Sequence, residues 1–152
     1  MKLALCATLV AAGVFGVSLL IQTSLRECRQ NPSPGGADVT REGNANLQVP
    51  FQVTGQLTDN DCLDRARPGS RCQVHRVHLK GGRAYVIDLH SQDFDAYLRI
   101  EDTAGNGLAE DDDSGPFLDA RLVFTPVRTG TYALVVTTFE ADETGRYLLS
   151  VR

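Results

Sequence analysis

From Leu47 to the last residue, the chain alternates apolar and polar side chains in short runs separated by turn residues, and no ten-residue stretch keeps the apolar stripe of a helix. Successive side chains of a strand point to opposite faces, so this alternation predicts half-buried strands. Strands this amphipathic suit two packed antiparallel sheets, since helices could not cover both of their faces. The sequence therefore predicts an all-β, jelly-roll-like β-sandwich of about eight strands, with an open barrel of the OB type as the alternative.

The predicted strands begin and end at turn signals such as Gly81, Gly130 and Gly145. They cover residues 47–57, 73–79, 84–91, 96–101, 107–110, 121–125, 131–139 and 146–151. A domain of residues 47–152 is long enough to bury one core, and we expect a single domain there.

The N-terminus has the pattern of an export leader. Lys2 is followed by an uncharged, mostly apolar run at residues 3–25. This run of 23 residues exceeds the roughly 7 to 15 of a signal's apolar core and is long enough to span a bilayer. Residues 1–25 are therefore predicted to be a cleaved signal peptide or a retained membrane anchor, with a core helix as the remaining alternative.

Residues 26–46 are polar, rich in glycine and proline, and lack a hydrophobic period, so they predict a flexible linker. Both main interpretations of the leader place the domain outside the cytoplasm, as a secreted, periplasmic or membrane-anchored protein. A membrane is expected as a partner only through an uncleaved leader. Nucleic acid is not expected, since the net charge is −4 and no basic stripe is present.

Outside the apolar run the chain has three cysteines, Cys28, Cys62 and Cys72. An oxidising compartment favours a disulfide, and we expect it between Cys62 and Cys72, which flank a polar, proline-containing loop. The alternative is a zinc site with His75 and His78, but a spacing of three places these two on opposite faces of a strand. Cys28 would then be a free thiol, a link to a second chain or an incidental linker residue.

Aspartates stand at both outer ends of a predicted hairpin at residues 93–115. If Ile100 lies roughly opposite Ala109, continuing the register places Ala96 about opposite Asp112 and brings the two acidic groups together. The candidate calcium ligands are Asp93, Asp95, Asp111, Asp112 and Asp113. Calcium takes about 6 to 8 oxygen ligands in irregular geometry, which converging loops can supply. The alternative is a solvated acidic rim that keeps the sheet edge soluble.

The sequence does not predict an enzyme. No GxSxG motif is present, and the adjacent His90 and Ser91 of a predicted strand point to opposite faces. Paired carboxylates for glycoside cleavage exist between Asp93 and Asp113, but the chain has no tryptophan to form a sugar platform.

An ordered set of motifs resembles the bacterial pre-peptidase C-terminal domain, a module appended to many secreted peptidases. The motifs are GQLTDND, HRVHLKGGRAYVIDLHSQDFDAYLRIED, GNGLAEDDDSG, ARLVFTPVRTGTYALVVTTF and GRYLLSV, and they span about residues 47–152. The resemblance implies a non-catalytic jelly-roll sandwich that binds calcium in some relatives and engages insoluble extracellular substrates in others. This sequence contains no peptidase domain, a departure that puts in question an accessory role towards catalysis in the same chain.

Two functions are therefore expected to compete. One is a structural module, stabilised by calcium, with no other ligand. The other is an interaction module that docks an envelope protein or an extracellular polymer through the outer face of one sheet.

Overall fold

The computed structural model describes residues 47–152. They form nine strands: β1 (Phe51–Leu57), β2 (Cys62–Leu63), β3 (Arg71–Leu79), β4 (Tyr85–Ser91), β5 (Ala96–Glu101), β6 (Gly107–Asp111), β7 (Ala120–Phe124), β8 (Gly130–Thr138) and β9 (Gly145–Val151). Eight of these match the predicted strands, and the two-residue β2 is the addition. No helix in this part of the chain is long and apolar enough to cross a membrane. The predicted leader and linker, with Cys28, lie outside the described residues.

The strands pair into a four-stranded sheet in the order β1-β9-β4-β7 and a five-stranded sheet in the order β2-β3-β8-β5-β6. All pairs of named strands are antiparallel, and the first strand joins the last, from Phe51 opposite Val151 to Leu57 opposite Gly145. With β2 left aside, the strands cross between the sheets in the pattern of a jelly roll. The predicted jelly-roll-like sandwich is confirmed, and the open barrel is not formed.

The inward faces of the two sheets share one hydrophobic core. Burying each aliphatic side chain stabilises the fold by about 1.5 to 3 kcal/mol relative to leaving it exposed. The aliphatic residues with no exposed surface are Leu57, Val77, Leu79, Ile87, Leu89, Leu98, Ile100, Leu134, Val136 and Leu149. Gly55 lets β1 pass directly over the ring of Tyr147, because a Cβ at this position would lie 2.2 Å from the ring Cζ atom.

The hairpin of β5 and β6 has the predicted central register, with Ile100 opposite Ala109. The predicted pairing of Ala96 with Asp112 is wrong. Leu98 lies opposite Asp111, where β6 ends, and Ala96 pairs on its other side with Thr138 of β8. The aspartates beyond β6 therefore belong to a loop, where their side chains are not directed by the alternation of a strand.

Residues 64–70, which we call the covering loop, fold across the outer face of the five-stranded sheet. The buried guanidinium of Arg99 donates two hydrogen bonds to the buried carboxylate of Asp64, of 2.8 and 3.1 Å. The guanidinium carbon of Arg67 lies 4.0 Å from the ring centroid of Tyr97 and 4.9 Å from that of Phe139. This loop leaves the four-stranded sheet with the more accessible of the two outer faces.

Candidate functional site

Two of the five predicted calcium ligands, Asp93 and Asp111, accept hydrogen bonds from backbone groups three or more residues away. A carboxylate oxygen of Asp93 accepts a hydrogen bond of 2.8 Å from the Arg146 backbone N–H. Asp111 accepts hydrogen bonds from the backbone N–H groups of Ser114 (3.1 Å) and Arg121 (2.8 Å). Aspartate commonly fixes turns in this way. The structure therefore gives Asp93 and Asp111 local structural contacts at separate places.

The other three predicted ligands lie near one another. Burial, followed by the charges of Asp113, Glu143, Asp112 and Glu140, raises the pKa of Asp95. Its Oδ1 atom is buried and has no hydrogen-bond partner, whereas its backbone N–H donates to Glu143. A buried acceptor without a partner is unfavourable, and the neighbouring carboxylates increase the penalty on its charge. Added positive charge beside Asp95 would therefore be favourable.

Within residues 47–152, no three His, Cys, Asp or Glu side chains are grouped so that they could hold a metal ion. Asp112 accepts a hydrogen bond from the next backbone N–H, at 3.0 Å. Calcium binding by the five aspartates stays a prediction. Asp95, Asp112 and Asp113 are the three of them whose charges interact.

Cys62 of β2 lies directly opposite Cys72 of β3, and both side chains are buried. The two residues stand at the base of the covering loop. The disulfide between them stays a prediction, and Cys28 lies outside the described part.

A polar network crosses one end of the core. The hydroxyl of Tyr147 lies 2.8 Å from Nε2 of His75 and donates to the side-chain oxygen of Gln73. Burial lowers the pKa of His75 to about 4 and, together with the charge of Asp61, raises that of Tyr147. His75 is therefore neutral at physiological pH. This network joins the two sheets and has a structural role.

The outward side chains of β1, β9, β4 and β7 form what we call the open face. None of the outward side chains in these four strands is buried. Asp88 of β4 is flanked by two arginines: Nε of Arg121 lies 2.5 Å from one carboxylate oxygen, and Arg152 contacts the other. Opposite charges are thus held in fixed positions across three neighbouring strands.

His90 and Asp119 form a second charged contact on the open face. Nδ1 of His90 lies 2.7 and 2.6 Å from the two carboxylate oxygens of Asp119, and Asp119 is itself buried. The carboxylate accepts a hydrogen bond from Nδ1–H. Nε2 is then a hydrogen-bond acceptor in the neutral ring and a donor in the charged ring. Nε2 has no partner among the described residues. The ring is therefore oriented but keeps one nitrogen for a ligand.

A pocket of about 370 Å³ opens beside this histidine, between the ends of β4 and β9. It is lined by residues 90–93 and 146–148. Arg146 is exposed, and its guanidinium makes no hydrogen bond or ion pair within the described part of the chain. The pocket thus combines an unpaired cation, an oriented imidazole and the carboxylate of Asp93.

The set of Ser91, His90 and Asp119 is not arranged as a hydrolytic triad. The Ser91 hydroxyl donates to the Arg146 carbonyl at 3.0 Å and accepts from the backbone N–H groups of Asp93 and Phe94, both at 3.1 Å. A nucleophilic serine would instead donate to the free nitrogen of the histidine. Ser91 therefore stabilises a turn, and the geometry of the pocket suits binding better than bond cleavage.

The sequence pattern placed His90 on a strand and did not indicate its contact with Asp119. Asp119 lies immediately before β7, which pairs with β4 through Leu89 opposite Ala120. These strands are separated by two others in the chain, so only knowledge of the sheet order would have placed His90 beside Asp119. Arg146 carried no signal either, since one arginine in a strand usually marks a solvated face.

Comparison with solved structures gives a fold that agrees with the motifs. The pre-peptidase C-terminal domain of a collagenase from Bacillus anthracis is similar over 75% of this chain and all of that domain, with a TM-score of 0.55 and 18% sequence identity. The chain therefore has the fold of a pre-peptidase C-terminal domain.

A second similar structure is PliG of Aeromonas hydrophila, a periplasmic inhibitor of g-type lysozyme. It matches 70% of this chain and 96% of its own, with a TM-score of 0.48 and 13% identity. No protein-family model and no curated protein matches the sequence. The described residues form a β-sandwich with the fold of the collagenase domain and a polar pocket on one outer face.

Proposed function

We propose that this chain is a non-catalytic accessory module that works outside the cytoplasm and docks an envelope protein or an extracellular polymer through its open face. The observation that carries the proposal is the difference between the two outer faces. One is crossed by the covering loop, whereas the other presents accessible side chains whose charges are already oriented by Asp88, Arg121 and Arg152. Groups held in place before binding lose less entropy when a partner arrives.

Two further features support this role. The leader pattern at residues 1–25 predicts export. The solved domain of similar fold is part of a collagenase, which is a precedent for a sandwich of this kind accompanying a larger activity.

The test compares one exposed apolar residue on each outer face. Val123 of β7 is 70% exposed on the open face, and Leu108 of β6 is 44% exposed on the other. The full chain is mixed with the envelope fraction and the insoluble extracellular polymer of the producing bacterium, and the retained protein is measured. We expect Val123→Glu to reduce retention at least about fivefold, which corresponds to about 1 kcal/mol, while Leu108→Glu leaves it unchanged.

Equal effects of the two substitutions would contradict docking through the open face. If the wild-type chain is not retained by either material, the purely structural interpretation would be favoured instead.

Calcium stabilisation is a second candidate, favoured by the buried Oδ1 of Asp95 that has no partner. Asp95, Asp112 and Asp113 would hold the ion, with backbone oxygens and water completing its coordination. An ion that binds only the folded state stabilises it by RT ln(1 + c/Kd), where c is the ion concentration, so the melting temperature rises with the logarithm of that concentration once the site is mostly occupied. We expect calcium to raise the melting temperature of the wild-type chain and not that of an Asp112→Ala, Asp113→Ala variant.

The control is Asp59→Ala, which removes an exposed carboxylate that does not act on Asp95. A rise that persists in the Asp112, Asp113 variant would place the ion elsewhere. If calcium does not raise the melting temperature of the wild-type chain, the alternative is favoured, in which these residues form an acidic rim that keeps the sheet edge soluble.

A further inference from the structure

We infer that the pocket between β4 and β9 binds a uronate residue of an acidic polysaccharide. This inference rests on the proposed function, since it names the chemistry of the ligand that the open face would dock. It depends on four features of the pocket, which are the unpaired arginine, the oriented histidine, the neighbouring acceptor and the size of the space.

Arg146 supplies the contact for the carboxylate. The other two arginines of the open face, Arg121 and Arg152, are both paired with Asp88, whereas Arg146 has no ion pair with a described residue. Its planar guanidinium matches a carboxylate with two parallel hydrogen bonds. In a chain of net charge −4, an exposed arginine without a carboxylate partner is a position where an external anion can bind.

His90 supplies a second contact whose direction is fixed. The two hydrogen bonds between Nδ1 and Asp119 orient the ring, and the ring also lines the pocket. Nε2 can accept a hydrogen bond from a hydroxyl or, in the charged ring, donate one to an anion. Orientation by a buried carboxylate reduces the entropy that the side chain would lose on binding.

Asp93 favours a sugar acid over a simple anion. One carboxylate oxygen of Asp93 is occupied by the Arg146 N–H, and no contact of the other is found in the described part of the chain. An anion alone would be repelled by this carboxylate. A uronate carries hydroxyls on the same rigid ring as its carboxylate, so one residue can donate to Asp93 while its carboxylate meets Arg146.

The space suits one sugar residue of a longer chain. A volume of about 370 Å³ is near the lower end of the roughly 300 to 1,000 Å³ of ligand sites. The half-buried Leu148 offers an apolar surface for the C–H groups of a ring. Because the pocket opens on the sheet face, the remainder of a polymer can extend from it along the strands.

The experiment titrates the full chain with trigalacturonate at low salt and measures heat of binding. Galactotriose and triglutamate are the neutral-sugar and acidic-peptide probes. We expect trigalacturonate to bind, with about a tenfold loss of affinity in Arg146→Gln and a smaller loss in His90→Gln. The matched control is Arg128→Gln, which removes an exposed arginine of the β7–β8 turn, away from the pocket.

Unchanged melting temperatures would show that the variants are folded. The Arg146 side chain makes no hydrogen bond or ion pair with a described residue, so Arg146→Gln removes no such contact. Three results would overturn the inference. These are no heat with trigalacturonate at 10 mM ligand, a loss in Arg128→Gln equal to that in Arg146→Gln, and binding of triglutamate as tight as that of trigalacturonate.

Failure here is distinguishable from failure of the proposed function. If Val123→Glu abolishes retention on the natural polymer while Arg146→Gln does not, the uronate pocket is wrong and docking through the open face stands. If neither substitution affects retention, the proposed function itself is wrong.

Discussion

The two outer faces of the sandwich differ in how far their outward polar and charged side chains are buried. On the five-stranded sheet, Arg99 and Thr137 are buried although they point away from the core, and they contact Asp64 and Arg71 at the two sides of the covering loop. On the four-stranded sheet, the outward side chains stay accessible. The same alternation of side chains therefore produces one face that adds stability and another that is left available for a partner.

Similar ion pairs on the two faces therefore contribute unequally to the stability of the fold. Asp64 and Arg99 are paired out of contact with water, with side-chain exposures of 1% and 6%. Asp88 and Arg121 are paired on the open face, with exposures of 19% and 40%. Water screens the second pair, whereas removing Asp64 from the first leaves the buried Arg99 guanidinium with Glu101, 2.8 Å from its Nε, as its remaining carboxylate contact among the described residues.

The largest expected difference between the two faces is tested by removing the carboxylate of each ion pair. We expect Asp64→Ala to lower the free energy of unfolding by about 3 kcal/mol, because Arg99 would remain buried and lose two hydrogen bonds, keeping only its contact with Glu101. Asp88→Ala, the matched change on the open face, should lower it by at most about 1 kcal/mol. Urea unfolding of both variants measures the difference, and equal losses would show that the covering loop does not desolvate its ion pair.

The predicted disulfide between Cys62 and Cys72 would close the base of the covering loop. In the chain-entropy model a loop of this length is stabilised by about 2 to 3 kcal/mol, so reduction should lower the melting temperature. Mass spectrometry of a non-reduced tryptic digest should find the peptides of these two cysteines linked. Linkage of Cys72 to Cys28 instead would contradict the predicted pairing and would attach β3 of the five-stranded sheet to the predicted linker.

The titration of His75 tests the interior between the two sheets and not either outer face. The unfolded chain protonates His75 near pH 6.5, whereas burial holds its folded pKa at about 4. The unfolded state therefore binds more protons over this window, and stability falls as the pH is lowered through it. Between pH 7 and pH 5 we expect a loss of about 2 kcal/mol.

The measurement is urea unfolding at both pH values. A His75→Gln variant should show a smaller difference between them, because it lacks the group that titrates. If the wild-type chain is equally stable at pH 7 and pH 5, the interior position of His75 is not as dry as the structure indicates.

Much of the fold was predictable because one face of each strand is buried. Alternation of apolar residues located eight of the nine strands, and it gave the correct central pairing of Ile100 with Ala109. β2 was missed because two residues carry no period. The covering loop was interpreted as a polar surface loop, since Asp64 and Arg67 are typical loop residues until Arg99 and Tyr97 are known to lie beneath them.

Less of the site was predictable, for two physical reasons. Contacts such as that of His90 with Asp119 join residues 29 positions apart, and they follow from sheet order and not from local pattern. The acidic residues were expected to act together, but aspartates in turns also bind backbone N–H groups, as Asp93 and Asp111 do. Net charge in a segment therefore predicted where carboxylates gather and not which of them remain without a partner.

The smallest expected effect concerns the contacts of Arg67 that hold the covering loop on the five-stranded sheet. Arg67 lies over the rings of Tyr97 and Phe139, and its Nε donates to the Thr138 carbonyl at 3.1 Å. Removing a partly exposed cation–π contact together with this hydrogen bond should lower the free energy of unfolding by only about 1 to 2 kcal/mol. The local effect should be larger, because the loop can lift from the sheet while the core stays folded.

We therefore expect Arg67→Ala to increase the rate of tryptic cleavage after Arg65 in the native protein several-fold. The control is Arg121→Ala, which removes an arginine from the open face and should leave that rate unchanged. Since cleavage requires local opening of the loop, an unchanged rate in Arg67→Ala would mean that the other contacts of the loop hold it in place. These include the Asp64–Arg99 pair and the hydrogen bonds of Ser70 and Gly69 with residues 140 and 142. Asp64→Ala should then increase the rate of the same cleavage, because it removes the buried one of these contacts.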